Sequence, residues 1–350
     1  MSDARMSRER CAGEGSAVGC DSEERPYGSN KVRRVPEICA TPRISADVAR
    51  KLRELAERYE TAEFSDGDPS CVLKRYTAVA DVECAAFVAA VLAFGRRDQF
   101  LPKIASIFEE ADRHGGPEKW LRSGNFRSFG AVSDSVGAAN SADTRECECS
   151  GTNSTPPPVP GGDKKFYRFY SYSDMTALFA RLHEILEEYG TLGNCVKTLY
   201  ERAPAAESAT LQADSTAAHR EQPAPTERRS LPQTPAERLL FALEAAFSGC
   251  RVVPQGKTSA AKRLCMFLRW MVRRDSPVDT GLWSWAQPKD LIIPLDTHVL
   301  QESVKMGLLP EKAGATLKTA LTLTSELKEI WPDDPCRGDF ALFGLGVDAP

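Results

Sequence analysis

The sequence has no long apolar segment and no excess of positive charge. Its longest apolar run, residues 85–94, is about half as long as a membrane-spanning helix. No apolar stretch precedes residue 35, so we expect neither a secretory signal nor a membrane partner. The formal net charge of −4 excludes bulk electrostatic attraction to nucleic acid, and any such binding has to come from local charge.

The eleven cysteines include no Cys-x-x-Cys pair and show no regular spacing. Cys147 and Cys149 are too close together for a usual disulfide. Cys84 and Cys265 lie inside apolar helical patterns, which is typical of small core residues. This usage favours unpaired thiols in a reducing compartment, and we expect a cytoplasmic protein.

No segment alternates between apolar and polar residues as a half-buried strand does, so the sequence predicts an all-α fold. Residues 1–42 are charged and without periodicity, and we expect a disordered tail. Residues 130–164 and 203–233 are rich in Ser, Pro and other small or polar residues and are predicted to be disordered insertions. The remaining roughly 240 residues are enough for one core. They form the segments 43–129, 165–202 and 234–350.

Residues suited to the N-cap position mark several predicted helix starts. The segment Thr234-Pro235-Ala236-Glu237 combines a capping box with Pro at the first helical position. Ser45, Asp81, Asp98 and Ser173 stand before other segments of helical periodicity. The predicted helices are 46–60, 82–94, 99–113, 174–189, a helix from 235, 259–274, 297–306, 311–330 and 337–345.

The predicted helix at 259–274 is amphipathic and basic. Its inward face has the i, i+3, i+4, i+7 spacing of a core-facing helix and consists of Leu264, Phe267, Leu268 and Met271. A second face consists of Lys262, Met266, Arg269 and Arg273. Residues 251–274 hold seven Lys or Arg and no acid. We therefore predict a local basic surface, with Lys262 pointing away from the core.

An apolar turn containing Pro294 leads to Asp296, thirty-four residues after Lys262. Asp296 stands where the N-cap of the next helix falls, so helix N–H groups are expected to orient its carboxylate. An amine nucleophile and a carboxylate are the two groups that can cleave a glycosidic bond through a covalent intermediate. The pair is the candidate catalytic centre.

Three segments resemble the helix-hairpin-helix DNA glycosylases that also have lyase activity. The similarity is greatest to the archaeal 8-oxoguanine glycosylase branch, whose Lys-to-Asp interval is similarly long. A bacterial family of unassigned function with the same superfamily signature is also similar. The matching segments are residues 262–271, Ile293-Pro294-Leu295-Asp296-Thr297-His298-Val299 and Asp339-Phe340-Ala341-Leu342-Phe343-Gly344-Leu345-Gly346.

The resemblance implies two helical lobes with the active site between them. Residues 43–200 would form one lobe and residues 234–345 the other, with some crossing. The four-cysteine iron–sulfur loop found near the end of many such glycosylases is absent, because only Cys336 follows Cys265. The resemblance implies no metal and no cofactor, and we expect a monomer associated with the nucleoid.

The resemblance assigns the chemistry to Lys262 and Asp296. The Lys262 amine would attack the anomeric carbon of the sugar, form a Schiff base and allow β-elimination of the strand. The amine must be neutral to attack, and an early position in its helix, together with the neighbouring cations Lys257 and Arg263, disfavours its positive charge. Asp296 would stabilise the oxocarbenium character of the sugar. The expected function is base-excision repair, with oxidised purine as a candidate substrate.

A damaged duplex or an abasic site would be the partner, and it needs base and phosphate contacts. A flipped base requires aromatic or apolar walls, for which Trp270, Trp283 and Trp285 are the candidates. His298 is a candidate phosphate contact or a structural residue of its loop. The candidate phosphate contacts are Arg96, Arg97, Arg251, Lys257, Arg263, Arg269, Arg273 and His298.

One segment departs from the family pattern. The standard hairpin has two glycines around an apolar residue, whereas residues 253–258 contain only Gly256. Lys257 follows this glycine directly and is an alternative nucleophile in a second register. Two other functions stay open. The chain could bind nucleic acid without catalysis, or it could be an interaction protein that recruits partners through its insertions.

Overall fold

A computed structural model describes residues 44–130, 164–203, 232, 234–255 and 259–348. Helices dominate this part of the chain, and the only sheet in it has two short antiparallel strands, β1 (Lys165–Tyr167) and β2 (Tyr170–Ser171). The predicted all-α fold is therefore confirmed. The helices are α1 (Ala46–Tyr59), α2 (Val79–Leu92), α3 (Arg97–Arg113), α4 (Pro117–Arg122), α5 (Tyr172–Tyr189), α6 (Leu192–Arg202), α7 (Pro235–Ala246), α8 (Lys262–Val272), α9 (Thr297–Lys305), α10 (Leu317–Lys328) and α11 (Arg337–Asp348).

Short 3₁₀ turns complete the described elements, at Ala62–Ser65, Pro69–Lys74, Asn125–Ser128 and Pro288–Asp290. No helix in the described ranges is long and apolar enough to cross a membrane. The segments predicted to be disordered, 1–42, 130–164 and 203–233, lie almost entirely outside the described residues.

Local capping explains several helix starts. The Ser45 hydroxyl accepts the Val48 N–H at the start of α1. Thr234 and Glu237 form the predicted capping box of α7. These starts agree with the sequence, because a cap depends only on residues within one helical turn.

Three predicted caps are wrong. Asp81 lies inside α2, and its carboxylate instead accepts the Glu118 N–H at the start of α4, 2.7 Å away. Asp98 lies in the first turn of α3, where it pairs with Arg96. Ser173 lies inside α5, whose capping box is formed by Ser171 and Asp174. The Asp81 carboxylate thus caps a helix whose N–H group lies thirty-seven residues further along the chain, and the periodicity of the sequence does not reveal such a contact.

The core forms around α2 and α8. Nearly every residue of α2 is buried, as expected for a helix that is apolar on all sides. The ring of Phe87 on α2 stacks on Phe247 at the end of α7, with centroids 4.0 Å apart. The same ring meets Phe267 on α8 edge-on at 5.1 Å. This packing holds α8 against α2 and so determines where its first residue, Lys262, emerges.

At least three helix pairs cross the predicted lobe boundary, and α2 with α8 is one of them. Helix α1 packs against α11, and α7 packs against α6. Helix α9 also packs on α11, so the element that begins after Asp296 rests on the last helix of the chain. In each predicted lobe, 43–200 and 234–345, the first helix therefore packs against a helix of the other segment.

Candidate active site

A cleft of about 790 Å³ lies where three helices begin. Arg97 at the start of α3, Lys262 at the start of α8, and Asp296 with Thr297 at the start of α9 all line it. The N–H groups of a first helical turn have no partner within the helix, and the helix dipole is positive at this end. The convergence of three such ends favours an anionic ligand.

Lys262 and Asp296 face each other in this cleft. The Lys262 Nζ lies 3.9 Å from the Asp296 Oδ2. Their side chains are 30% and 19% exposed, so both groups are accessible from the cleft without being fully solvated. The two residues predicted as a catalytic pair are therefore brought together in one cleft.

The two oxygens of Asp296 have different contacts. Oδ1 accepts the Val299 N–H at 2.9 Å and caps α9, as its position in the sequence predicts. Oδ2 is the oxygen near the Lys262 amine. The cap thus fixes the carboxylate while one oxygen stays directed at the lysine.

The backbone immediately before Lys262 is strained. Ala261 has φ = 50°, in the left-handed region that residues with a side chain rarely adopt. No side chain caps α8, and its first residue is a lysine, which the helix dipole disfavours. Backbone strain of this kind persists where the surrounding structure imposes it, and it concentrates at functional sites.

The apolar walls of the cleft are not the predicted tryptophans. Phe94, Phe100, Met266 and Phe343 line it instead. Met266 follows Lys262 by four residues and was predicted to share its face. Phe343 lies in α11, the helix Arg337–Asp348. Sequence reasoning missed Phe94 and Phe100, which enter from the α2–α3 corner and have no local signal.

Trp270, Trp283 and Trp285 were predicted to form a base pocket, and this prediction is wrong. Trp270 and Trp283 are fully buried, and none of the three lines the cleft. The Trp283 ring stacks on Trp285 at 5.5 Å, and its Nε1 donates to the Glu83 carboxylate at 2.7 Å. Trp270 and Trp283 are core residues, and Trp285 is partly buried against the core.

Arg269 and Arg273 were predicted as phosphate contacts, which is also wrong. They are 4% and 2% exposed. Arg273 pairs with Glu60 at 2.6 Å, Asp279 at 2.5 Å and Asp334 at 2.8 Å, and Arg269 pairs with Asp279 and Asp339. The face of α8 that begins in the cleft at Lys262 therefore ends inside the protein. A buried guanidinium held by several carboxylates cannot also neutralise DNA.

Asp339 connects this buried network to the cleft. Burial raises its pKa to about 6, because desolvation outweighs the attraction of Arg269. The Asp296 charge raises this pKa further and the Lys262 charge lowers it. The carboxyl group of Asp339 is therefore close enough to Lys262 and Asp296 for their charges to affect its pKa.

Only some of the remaining basic candidates reach the cleft. Arg97 lines it, with its guanidinium 3.7 Å from Asp68 and over the Phe343 ring. His298 lines it too and packs edge-on against Phe343. Both remain candidates for phosphate contact.

Three arginines are engaged by protein groups. Arg263 lines the cleft, but its Nη1 donates to the Val91 carbonyl and to the Tyr170 hydroxyl. Arg96 is exposed and pairs with Asp98, and Arg251 is exposed and pairs with Asp174. Exposed pairs of this type are weak, so Arg96 and Arg251 can exchange partners at small cost.

Lys257, the alternative nucleophile, lies outside the described residues. Pro254 and Ser259, on either side of its segment, line the cleft. Six cysteines lie in the described ranges and all have free thiols. Within those ranges, no group of three or more His, Cys, Asp or Glu side chains is placed to hold a metal ion.

Fold and site together define an all-α protein with an amine–carboxylate pair in a cleft at the start of three helices. The chain belongs to the family described as protein of unknown function (DUF2400), whose model matches residues 68–135 and 152–348, about three quarters of the sequence. The match includes both Lys262 and Asp296. No curated protein and no solved structure matches the chain.

Proposed function

We propose that the protein is a DNA glycosylase with lyase activity at abasic sites. The observation that supports this most directly is the 3.9 Å approach of the Lys262 amine to the Asp296 carboxylate in an open cleft. The resemblance of residues 262–271, 293–299 and 339–346 to helix-hairpin-helix glycosylases supports the same reaction.

In this proposal the Lys262 amine attacks the anomeric carbon of the damaged nucleotide. The bond between sugar and base breaks, and the base leaves with the bonding electrons and takes up a proton. As the sugar ring opens to a Schiff base, the amine nitrogen gives up a proton and the ring oxygen takes one up to become a hydroxyl. Loss of a sugar proton then expels the 3′ phosphate by β-elimination. A free amine is required, because the Schiff base forms at its nitrogen.

Asp296 stabilises the positive charge that develops on the sugar. Its Oδ2 lies on the cleft side, and its Oδ1 is held by the start of α9, so the charge is oriented before the reaction begins. Oriented charge is effective because it needs little reorganisation in the transition state.

In this proposal the cleft contacts both the flipped base and the phosphates of the DNA. Met266 and Phe343 offer apolar surface on which a flipped base can rest. Arg97, His298 and the N–H groups at the starts of α3 and α8 offer contacts to phosphate. These contacts take the place of the buried Arg269 and Arg273.

Borohydride trapping tests the nucleophile. Wild-type protein should form a covalent adduct with duplexes that contain an abasic site, and with at least one duplex among a set of damaged bases that includes 8-oxoguanine. Lys262→Gln should lower trapping and strand cleavage by at least about 100-fold, because the amide cannot form a Schiff base. The matched control is Lys289→Gln, an exposed lysine that lines a separate charged cavity, and it should trap as wild type does.

Two outcomes would redirect the assignment. If Lys262→Gln still traps, the nucleophile is another amine, and Lys257→Gln is the next variant to test. If wild-type protein binds DNA but neither traps nor cleaves any substrate, the protein is a non-catalytic nucleic-acid binder.

A further inference from the structure

A β-hairpin stands beside the cleft. Strands β1 and β2 pair Tyr167 with Tyr170, so Arg168 and Phe169 form a two-residue turn. The Tyr167 hydroxyl donates to the Phe94 carbonyl, and the Tyr170 hydroxyl donates to the Val252 carbonyl at 3.0 Å. Both anchors are on the main chain of neighbouring elements, so the position of the turn is well determined.

The turn has unusual residues. Two-residue hairpin turns favour Asn-Gly or similar pairs, because their backbone requires positive φ. Here Arg168 has φ = 49°. The hairpin also packs so closely that a Cβ on Gly95 would lie 2.2 Å from the Arg168 guanidinium. The turn thus keeps a strained arginine next to a phenylalanine, where Gly or Asn would fold more easily.

Phe169 is the most exposed large apolar side chain in the described part of the chain, at 57%. Its ring lies 5.3 Å from that of Phe94, which lines the cleft, and 4.6 Å from that of Tyr170. An exposed phenylalanine at a turn leaves its apolar ring in contact with water, whereas a polar side chain at the same position would be hydrated. The Phe169 ring therefore packs against two aromatic neighbours, while more than half of the residue stays exposed.

Cations surround this aromatic cluster. The Arg168 and Arg263 guanidinium groups lie 5.9 Å and 4.7 Å from the centre of the Phe94 ring. Arg96, 75% exposed, stands at the same corner of α3. Aromatic rings interleaved with arginines match a nucleic-acid strand, whose bases stack while its phosphates are neutralised. A protein partner with an apolar surface would gain nothing from these positive charges.

We infer that Phe169 stacks on a nucleobase of the bound strand, next to the nucleotide in the cleft. This inference rests on the proposed function for the identity of the strand as DNA, but not on the reaction itself. The strained turn presents the ring, the anchors on Phe94 and Val252 hold it beside the cleft, and the arginines attract the flanking phosphates.

Binding to an uncleavable abasic analogue tests the contact. The probe is a tetrahydrofuran-containing oligonucleotide, single-stranded and duplex, with affinity measured by fluorescence anisotropy at fixed salt. Phe169→Ala and Phe169→Leu should weaken binding by about 5- to 150-fold, the range for loss of one base–aromatic stack. Phe169→Trp should bind within about threefold of wild type, because its ring also stacks.

Val79→Ala is the matched control, since Val79 is another exposed apolar residue and does not line the cleft. It should leave affinity unchanged. Thermal unfolding of each variant shows whether the fold is kept, and loss of affinity counts only in variants that unfold as wild type does. Should Phe169→Ala alone misfold, Phe169→Leu and Phe169→Trp still decide the question.

Each outcome has one meaning. Unchanged affinity in folded Phe169→Ala would overturn the contact, and wild-type affinity in Phe169→Leu would overturn stacking as its basis. Weaker binding by both, without any borohydride trapping by wild type, would support the contact and overturn the proposed catalysis. Wild-type protein that binds neither probe would overturn both.

Discussion

At the scale of single residues, Asp296 has a structural task in the fold and, in the proposed reaction, a chemical one. Its Oδ1 accepts the Val299 N–H and so begins α9, while its Oδ2 faces Lys262. The two tasks require different properties of the side chain. Capping needs an oxygen acceptor, which an amide also has, whereas stabilising a positive sugar needs the negative charge.

The Asp296→Asn variant should therefore separate the capping of α9 from the stabilisation of the positive sugar. The free energy of unfolding should stay within about 0.5 kcal/mol of wild type, because Asn caps as well as Asp. Base removal in single-turnover assays should slow by about 100-fold or more. Asp296→Ala is the comparison, and it should also lose about 0.5–2 kcal/mol of stability. Normal base removal by Asp296→Asn would show that the carboxylate charge has no part in the reaction.

At the scale of elements, a buried carboxylate joins three parts of the core. Glu83 lies in the second turn of α2 and accepts the Gly193 N–H at 3.0 Å and the Trp283 Nε1–H at 2.7 Å. Gly193 stands at the start of α6, where a Cβ would lie 2.6 Å from Glu83 and from Trp283. Burial raises the pKa of Glu83, although both hydrogen bonds oppose this.

Glu83→Gln should destabilise the fold by about 1–3 kcal/mol near pH 4, because the amide can accept only one of the two N–H groups. The raised pKa means that folded Glu83 holds its proton more tightly than the unfolded chain does. The wild type therefore loses stability as the pH rises above the ordinary carboxyl pKa. The difference in free energy of unfolding between wild type and Glu83→Gln should therefore become smaller. Denaturant unfolding between pH 4 and 7 measures this.

Glu187→Gln is the control for this experiment. Glu187 makes an exposed ion pair with Arg122, so the substitution should change stability by less than about 1 kcal/mol. If the difference in free energy of unfolding between wild type and Glu83→Gln becomes larger as the pH rises, the predicted pH dependence is contradicted.

At the scale of the whole molecule, Arg273 connects distant parts of the chain. Its guanidinium meets Glu60 at the end of α1, Asp334 before α11, and Asp279 in the loop after α8. The first of these partners is 213 residues away in sequence. This network therefore helps to hold the N-terminal helix to the helix that begins at Lys262.

Arg273→Leu should lower the free energy of unfolding by about 3–5 kcal/mol, because it removes one counter-charge from the buried carboxylates of Glu60 and Asp279. Among the described residues, Glu60 then keeps only Arg337, and Asp279 keeps only Arg269.

Arg251→Leu removes an exposed pair with Asp174 and should cost less than about 1 kcal/mol. Denaturant unfolding of both variants makes the comparison. Equal stabilities would mean that the Arg273 network adds little to the fold.

The sequence by itself determined the all-α class, the apolar face of α8 and the helix starts at Ser45, Thr234 and Asp296. It also predicted that Lys262 and Asp296 share a cleft. These features depend on contacts within one helical turn or on a motif of adjacent residues. Only the tertiary structure decided what surrounds Arg269 and Arg273, which N–H Asp81 caps, and which aromatic residues form the cleft walls. A helical repeat shows which side chains share a face, but whether that face meets water or buried carboxylates depends on segments that are distant in the chain. The desolvation of those two arginines follows from that packing alone.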